Sequence, residues 1–150
     1  MERINYAELP EGLFTPLREI EDYLKKSELD TNLMELIRLR VSQLNGCAYC
    51  LDMHYKELKH HGETDLRISL ISAWEETDHF NDKEKAALHY AEALTRIDHH
   101  PLSETTFNSV ESHFNKTELA LLSLTITQIN TWNRLMKAFG FVAGNYVVSS

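Results

Sequence analysis

What most constrains this chain is its punctuation. Helix-starting residues recur along it, and between them apolar residues fall at the three-and-four spacing of a helix rather than the alternation of a strand. Thr15-Pro16 reads as an N-cap followed by proline at the first helical position, with Leu17, Ile20 and Leu24 behind it. A second helix starts at Asp30 or Thr31, carries Leu33, Leu36, Ile37, Val41 and Leu44 on one stripe, and stops at Asn45-Gly46, a joint suited to positive φ. A third is expected from about Cys47 to His61, with Gly62 as its C′ residue. Thr64 then caps a fourth bearing Leu66, Leu70, Ile71 and Trp74. Asn81 with Glu84, and Asn115 with Glu118, have the spacing of capping boxes. The first opens a fifth helix through Ala87, Leu88, Ala91 and Leu94 that ends before Pro101, and Ser103 opens a brief sixth around Phe107 and Val110. The second box opens the most buried-looking helix, from Leu119 to Gly140. Strand signals reduce to Tyr146-Val147-Val148, too short to build a sheet alone. The expectation is an all-α bundle of about six to eight helices in a single domain, residues 1–150.

Composition narrows the function. With 23 acidic against 15 basic residues the formal net charge is −8, which repels phosphate backbones and anionic lipid, so neither nucleic acid nor a membrane surface is an expected partner. The opening residues Glu2-Arg3-Ile4-Asn5-Tyr6 lack the apolar run of a signal peptide, and no segment approaches the ~18 apolar residues that span a bilayer. A cytoplasmic location is expected. In that reducing compartment a structural disulfide is disfavoured, so Cys47 and Cys50 read as metal ligands or as a redox pair.

Starting a helix at Cys47 sets a thiol beside unpaired backbone N–H groups and the positive end of the helix dipole, both of which favour thiolate. Positions 47, 50 and 54 are spaced i, i+3 and i+7, so Cys47, Cys50 and His54 share one helical face. Imidazole is the side chain best matched to moving a thiol proton near neutral pH. Glu35 lies ten residues before Asn45 and His54 nine after it, so a hairpin of the two helices brings them level, where a carboxylate orients the imidazole. Oxidation of one sulfur and resolution by the other closes a disulfide and calls for an outside dithiol reductant. The helix dipole favours Cys47 as the attacking thiol and the neighbouring base favours Cys50; the reading leans to Cys50 as peroxidatic and Cys47 as resolving.

Glu35, eleven residues, Cys47-Ala48-Tyr49-Cys50, three residues and His54 together resemble the core motif of the alkylhydroperoxidase AhpD-like proteins of the carboxymuconolactone decarboxylase superfamily. Asn130-Thr131-Trp132-Asn133-Arg134 resembles a late-helix signature of the same family, so the likeness spans a core of about residues 33–139. The resemblance implies an all-helical fold and homo-oligomers, trimers or hexamers. It also implies a peroxidase or disulfide-reductase activity on a hydroperoxide or disulfide substrate, with Glu35 and His54 as a proton relay, an unidentified dithiol as reductant and no bound cofactor. Tyr49 stands where the best-studied hydroperoxidase branch has histidine, and its hydroxyl is a candidate border of the substrate channel. The decarboxylases that name the superfamily lack the cysteine pair, so their reaction is not carried over.

Plainer readings stand beside these. The two cysteines with His54 and Glu35 have the composition of a zinc site with two thiolates, one imidazole and one carboxylate, and a non-catalytic oligomer that senses oxidants or binds a small molecule would use the same residues. Glu35 by itself reads as an exposed helix charge paired with Arg38, and Trp132 and Arg134 as packing and interface residues. His60-His61 and His99-His100 read as solvated helix ends; His79, His89 and His113 have no partner at ligand spacing. Finally, Leu39 to Asn45 aligns without gaps to Leu124 to Asn130, sharing Leu, Gln and Asn, which raises an internal helical repeat equating Cys47 with Trp132 and Cys50 with Leu135.

Overall fold

A computed structural model of the chain describes residues 2–99 and 101–149, and among these the regular structure is all helical. Seven α-helices, α1 (Thr15–Lys25), α2 (Thr31–Asn45), α3 (Ala48–His60), α4 (Asp65–Leu70), α5 (Asp82–Thr95), α6 (Glu104–Glu111) and α7 (Lys116–Phe139), are joined by two short 3-10 helices, Tyr6–Glu8 and Ile71–Glu76. The expected boxes form at both Asn81/Glu84 and Asn115/Glu118. A third, Asn5 with Glu8, closes the first 3-10 helix and was not read from the sequence. His100 lies outside the described residues.

The centre of the bundle is α2. Of the expected stripe Leu33, Leu36, Ile37 and Val41 are buried and Leu44 is half-buried; Met34, Glu35, Leu39 and Ser42 are buried as well, so that eight of its fifteen residues are buried against nine of twenty-four in α7. The helix judged most buried from sequence is therefore second to α2, because α3, α5 and α7 all pack on α2. Side chains that bond across α2 and α7 run in opposite directions, Ser42 to Asn133 and Asn45 to Asn130, so the two helices are antiparallel. The asparagines equated by the internal alignment, Asn45 and Asn130, meet at 3.0 Å, and the residues equated with the cysteines, Trp132 and Leu135, pack in the same apolar cluster as the cysteines.

Two helix boundaries depart from expectation, each because burial outweighs local preference. Thr15 lies inside α1, and the N-cap is Phe14, which makes no side-chain cap bond. Forgoing a polar cap costs about 1 kcal/mol, whereas burying a phenylalanine contributes about 1.5–3 kcal/mol, and Phe14 is buried beside both cysteines. The fourth helix stops at Leu70 and tightens into the 3-10 segment, with Ala73 off helical geometry at φ −125°, ψ 33°. Three residues per turn stacks Ile71 over Trp74, so both enter the core, and Trp74 Nε1 reaches Glu92 at 2.8 Å. Leu66, placed on the apolar face by periodicity, is 55% exposed.

Between α2 and α3 the chain turns on Gly46, whose φ of +60° suits glycine and disfavours any side chain. The turn is clamped from α7. Lys137 Nζ donates to the Asn45 carbonyl at 2.7 Å, and the Asn45 amide donates to both Asn130 and Asn133. Much of the Asn130–Arg134 signature thus fixes the corner from which the cysteine segment departs.

Candidate active site

Cys47 is the N-cap of α3 rather than its first helical residue, and its sulfur accepts the Cys50 N–H at 3.4 Å. That is the position of a Ser or Asp cap, with sulfur in place of oxygen. Both cysteines are buried, and they are joined as a disulfide across a Cα separation of 5.4 Å. Around them lies a small apolar cluster of Phe14, Met136, Tyr49, Trp132 and Phe141, which Trp132 joins to the main core.

His54 is one turn beyond Cys50 on the same helix and is buried. Its Nδ1 lies 2.7 Å from Glu35 Oε2, so the hairpin brings together the two residues that the sequence placed level. Glu35 is buried, not the exposed helix charge of the plain reading, and its second oxygen accepts from Arg38 at 2.5 Å. Burial, the largest single influence on this carboxyl, pushes its pKa up. The charge and hydrogen bond of His54, followed by those of Arg38, more than reverse this and hold it at about 2. An ionised carboxylate has no proton to give, so Nδ1 is the donor of this pair, and in the neutral imidazole Nε2 is the nitrogen that keeps its lone pair.

Arg38 continues outward to Glu21 of α1 at 2.6 Å, and Glu21 accepts the Trp132 indole N–H at 2.9 Å. Neither Glu21 nor a polar role for Trp132 was read from the sequence. The only prior signal was the spacing of Arg38 from Glu35, and nothing in periodicity aims α1 at this point. Arg134, by contrast, is exposed and bonds back to Asn130 on its own helix.

A cavity of about 370 Å³ opens onto this arrangement. Its wall includes the polar or reactive Cys50, His54, Glu35 and Arg38 and the apolar Phe14, Trp132, Met34, Met53 and Met136; Cys47 does not contribute to it. Tyr49 borders the cavity with its ring edge-on to Phe141, 5.7 Å between centroids, and burial, helped by Asp52, pushes its phenol pKa up. A C-terminal strap adds Phe141 and Tyr146 to the lining. Lys56 donates to the carbonyls of Gly144 and Tyr146, Asp52 accepts the Gly144 N–H, and the Tyr146 hydroxyl donates to Glu57.

Among the described residues no three His, Cys, Asp or Glu side chains are grouped as metal ligands. The zinc reading meets a direct obstacle, since the two sulfurs are bonded to each other and both Glu35 oxygens are engaged. The other described histidines, His60, His61, His79, His89, His99 and His113, are exposed, and of these His61 lines the cavity. No helix is long and apolar enough to cross a membrane among the described residues.

The family model for the carboxymuconolactone decarboxylase family matches residues 12–93. An uncharacterized protein of Bacillus subtilis, YdfG, is 39% identical over 140 residues, covering 93% of this chain and 95% of its own length. Among solved structures, the crystal structure of ATU0492 from Agrobacterium tumefaciens, a protein of unknown function associated by name with the antioxidant defence protein AhpD, superposes with a TM-score of 0.93. It is 34% identical and covers 97% of this chain and 100% of that one. An uncharacterized peroxidase-related protein from Silicibacter sp. TM1040 has the same fold at a TM-score of 0.78 and 19% identity, covering 87% of this chain and 70% of that one.

Proposed function

Because the chain belongs to the carboxymuconolactone decarboxylase family, as one of its AhpD-like members, we propose that it is a thiol-dependent peroxidase that reduces hydroperoxides with Cys50 and Cys47. The observation that carries this reading is the disulfide-linked pair whose second member, Cys50, lines a cavity walled by a buried imidazole-carboxylate pair. In the reduced protein, His54 Nε2 takes the Cys50 proton and the carboxylate of Glu35 stabilises the imidazolium. The thiolate attacks the outer peroxide oxygen and the O–O bond breaks. The departing alkoxide receives the proton from His54, giving an alcohol and a sulfenic acid at Cys50. Cys47 then attacks that sulfur, forming the disulfide and releasing water, and a dithiol reductant restores both thiols as it becomes a disulfide itself. Cys47 is suited to resolving, since its sulfur already sits over the Cys50 N–H. Tyr49 borders the approach as a channel residue.

The test follows tert-butyl hydroperoxide with dithiothreitol as reductant. The wild type is expected to turn over many equivalents, Cys50→Ser none, and Cys47→Ser to accumulate a sulfenic acid that dimedone traps at Cys50. Equal inertness of all three proteins overturns the peroxidase reading. Consumption of a single equivalent by the wild type, with no turnover, assigns the pair to oxidant sensing instead.

A further inference from the structure

We infer that Arg38 and Glu21 are positioning residues for the Glu35–His54 pair, extending it into a four-membered charge chain that crosses three helices and ends on the Trp132 indole. The inference rests on the proposed thiol chemistry of the same site and adds to it the residues that set the charge against which His54 works.

The chain is continuous and short at every step. His54 Nδ1 to Glu35 Oε2 is 2.7 Å, Glu35 Oε1 to Arg38 Nη1 2.5 Å, Arg38 Nη2 to Glu21 Oε2 2.6 Å, and Glu21 Oε1 to Trp132 Nε1 2.9 Å. Each oxygen of both carboxylates therefore has one assigned donor. Arg38 uses two prongs of its planar fork on two different carboxylates, which a lysine ammonium reproduces poorly. With Nη1 on Oε1, the Glu35 carboxylate cannot rotate away from His54, so the imidazole stays in the tautomer that presents Nε2.

The charges are also matched to the task. Glu21, Arg38 and Glu35 together carry one net negative charge, and an imidazolium at His54 brings the chain to neutrality. The cluster is thus arranged to receive one proton at His54 without leaving a net buried charge, the condition needed when Cys50 gives up its proton. From α3, Glu57 adds a weaker negative influence on Arg38 while accepting from the Tyr146 hydroxyl of the strap. Arg18, Asp22 and Lys25 of α1 and His61, the C-cap of α3, also line the cavity. Burial opposes the Arg38 charge, but the two carboxylates outweigh it and raise its pKa. This also gives the Asn130–Arg134 signature a role beyond the helix corner, since Trp132 anchors the outer end of the chain.

The experiment reads the pH profile of iodoacetamide alkylation of Cys50 in a Cys47→Ser parent, where Cys50 is the remaining thiol, with product measured by mass. Removing a negative charge eases deprotonation and removing a positive one hinders it. The midpoint is therefore expected to fall in Glu21→Gln and rise in Arg38→Met, each by about 1 pH unit. Arg38→Lys should keep the parental midpoint, because the charge remains, but lower the plateau rate several-fold because the fork is lost. General loosening of the fold does not move two midpoints in opposite directions. Unshifted midpoints, or shifts of the same sign, overturn the inference and leave the peroxidase reading standing. A parent that alkylates like an ordinary free thiol overturns both. Glu21 lies on a partly exposed helix, so Glu21→Gln carries the test even where Arg38→Met fails to fold.

Discussion

Replacing Glu35 by glutamine removes a charge and no volume, which makes it a clean probe of the buried pair. The unfolded chain titrates this carboxyl near its ordinary 4.5, while in the folded protein it is held at about 2. Each pH unit between those values corresponds to about 1.4 kcal/mol, so the ionised carboxylate contributes about 3 kcal/mol to the folded state. Because the folded value is the depressed one, that stability is fully present above pH 4.5 and is lost as pH falls to about 2. Glu35→Gln should therefore unfold in urea with a free energy about 3 kcal/mol below wild type at pH 5, within the range for breaking a buried ion pair by removing one partner. The difference should shrink steadily below pH 4.5 to a few tenths of a kcal/mol, roughly RT ln 2, at pH 2, where half of the wild-type carboxyl is already neutral. Urea titrations of both oxidised proteins at closely spaced pH values measure it directly. A difference that stays constant between pH 4.5 and pH 2 would refute the reasoning, since the lost stability would then belong to packing and not to the charge.

Other parts of the site make separate predictions. Gly46→Ala forces a side chain into φ +60° at the corner before Cys47 and should lower stability by about 1 kcal/mol in urea titration, although its new Cβ meets nothing nearer than Lys137 Nζ at 3.7 Å. Trp132→Phe keeps a ring against Phe14, 5.2 Å away by centroid, but drops the indole donor to Glu21, and should cost about 1 kcal/mol by the same assay. Lys56→Met releases the carbonyls of Gly144 and Tyr146, so amide exchange in residues 144–146 should accelerate while global stability changes by less than about 1 kcal/mol.

The fold was legible because its signals are local. A capping box is written within four residues, and Asn81/Glu84 and Asn115/Glu118 close as their spacing requires. The joint at Asn45-Gly46 is legible for the same reason, as glycine is the residue that tolerates the backbone there. Where the reading departed, a distant contact outbid a local preference. Thr15 gave up its cap because Phe14 had an apolar cluster to enter, and the fourth helix tightened because Ile71 and Trp74 both had core to fill. The burial of α2 was underestimated because periodicity reports the face a helix shows to one neighbour, and α2 has several.

The site divides along the same line. Cys47, Cys50 and His54 were readable because they share one helix, and Glu35 because a two-residue joint fixes the hairpin register closely enough to compare heights. Glu21 offered no such handle. It belongs to neither motif, sits on an amphipathic helix among Glu19 and Asp22, and gains its place only when α1 is laid across α2 and α7. Yet it is the residue through which the two motifs meet, the first reaching it by Arg38 and the second by Trp132. Motif spacing along one chain therefore specifies which groups do chemistry, while the charge they work against comes from a helix whose own sequence carries no mark of it.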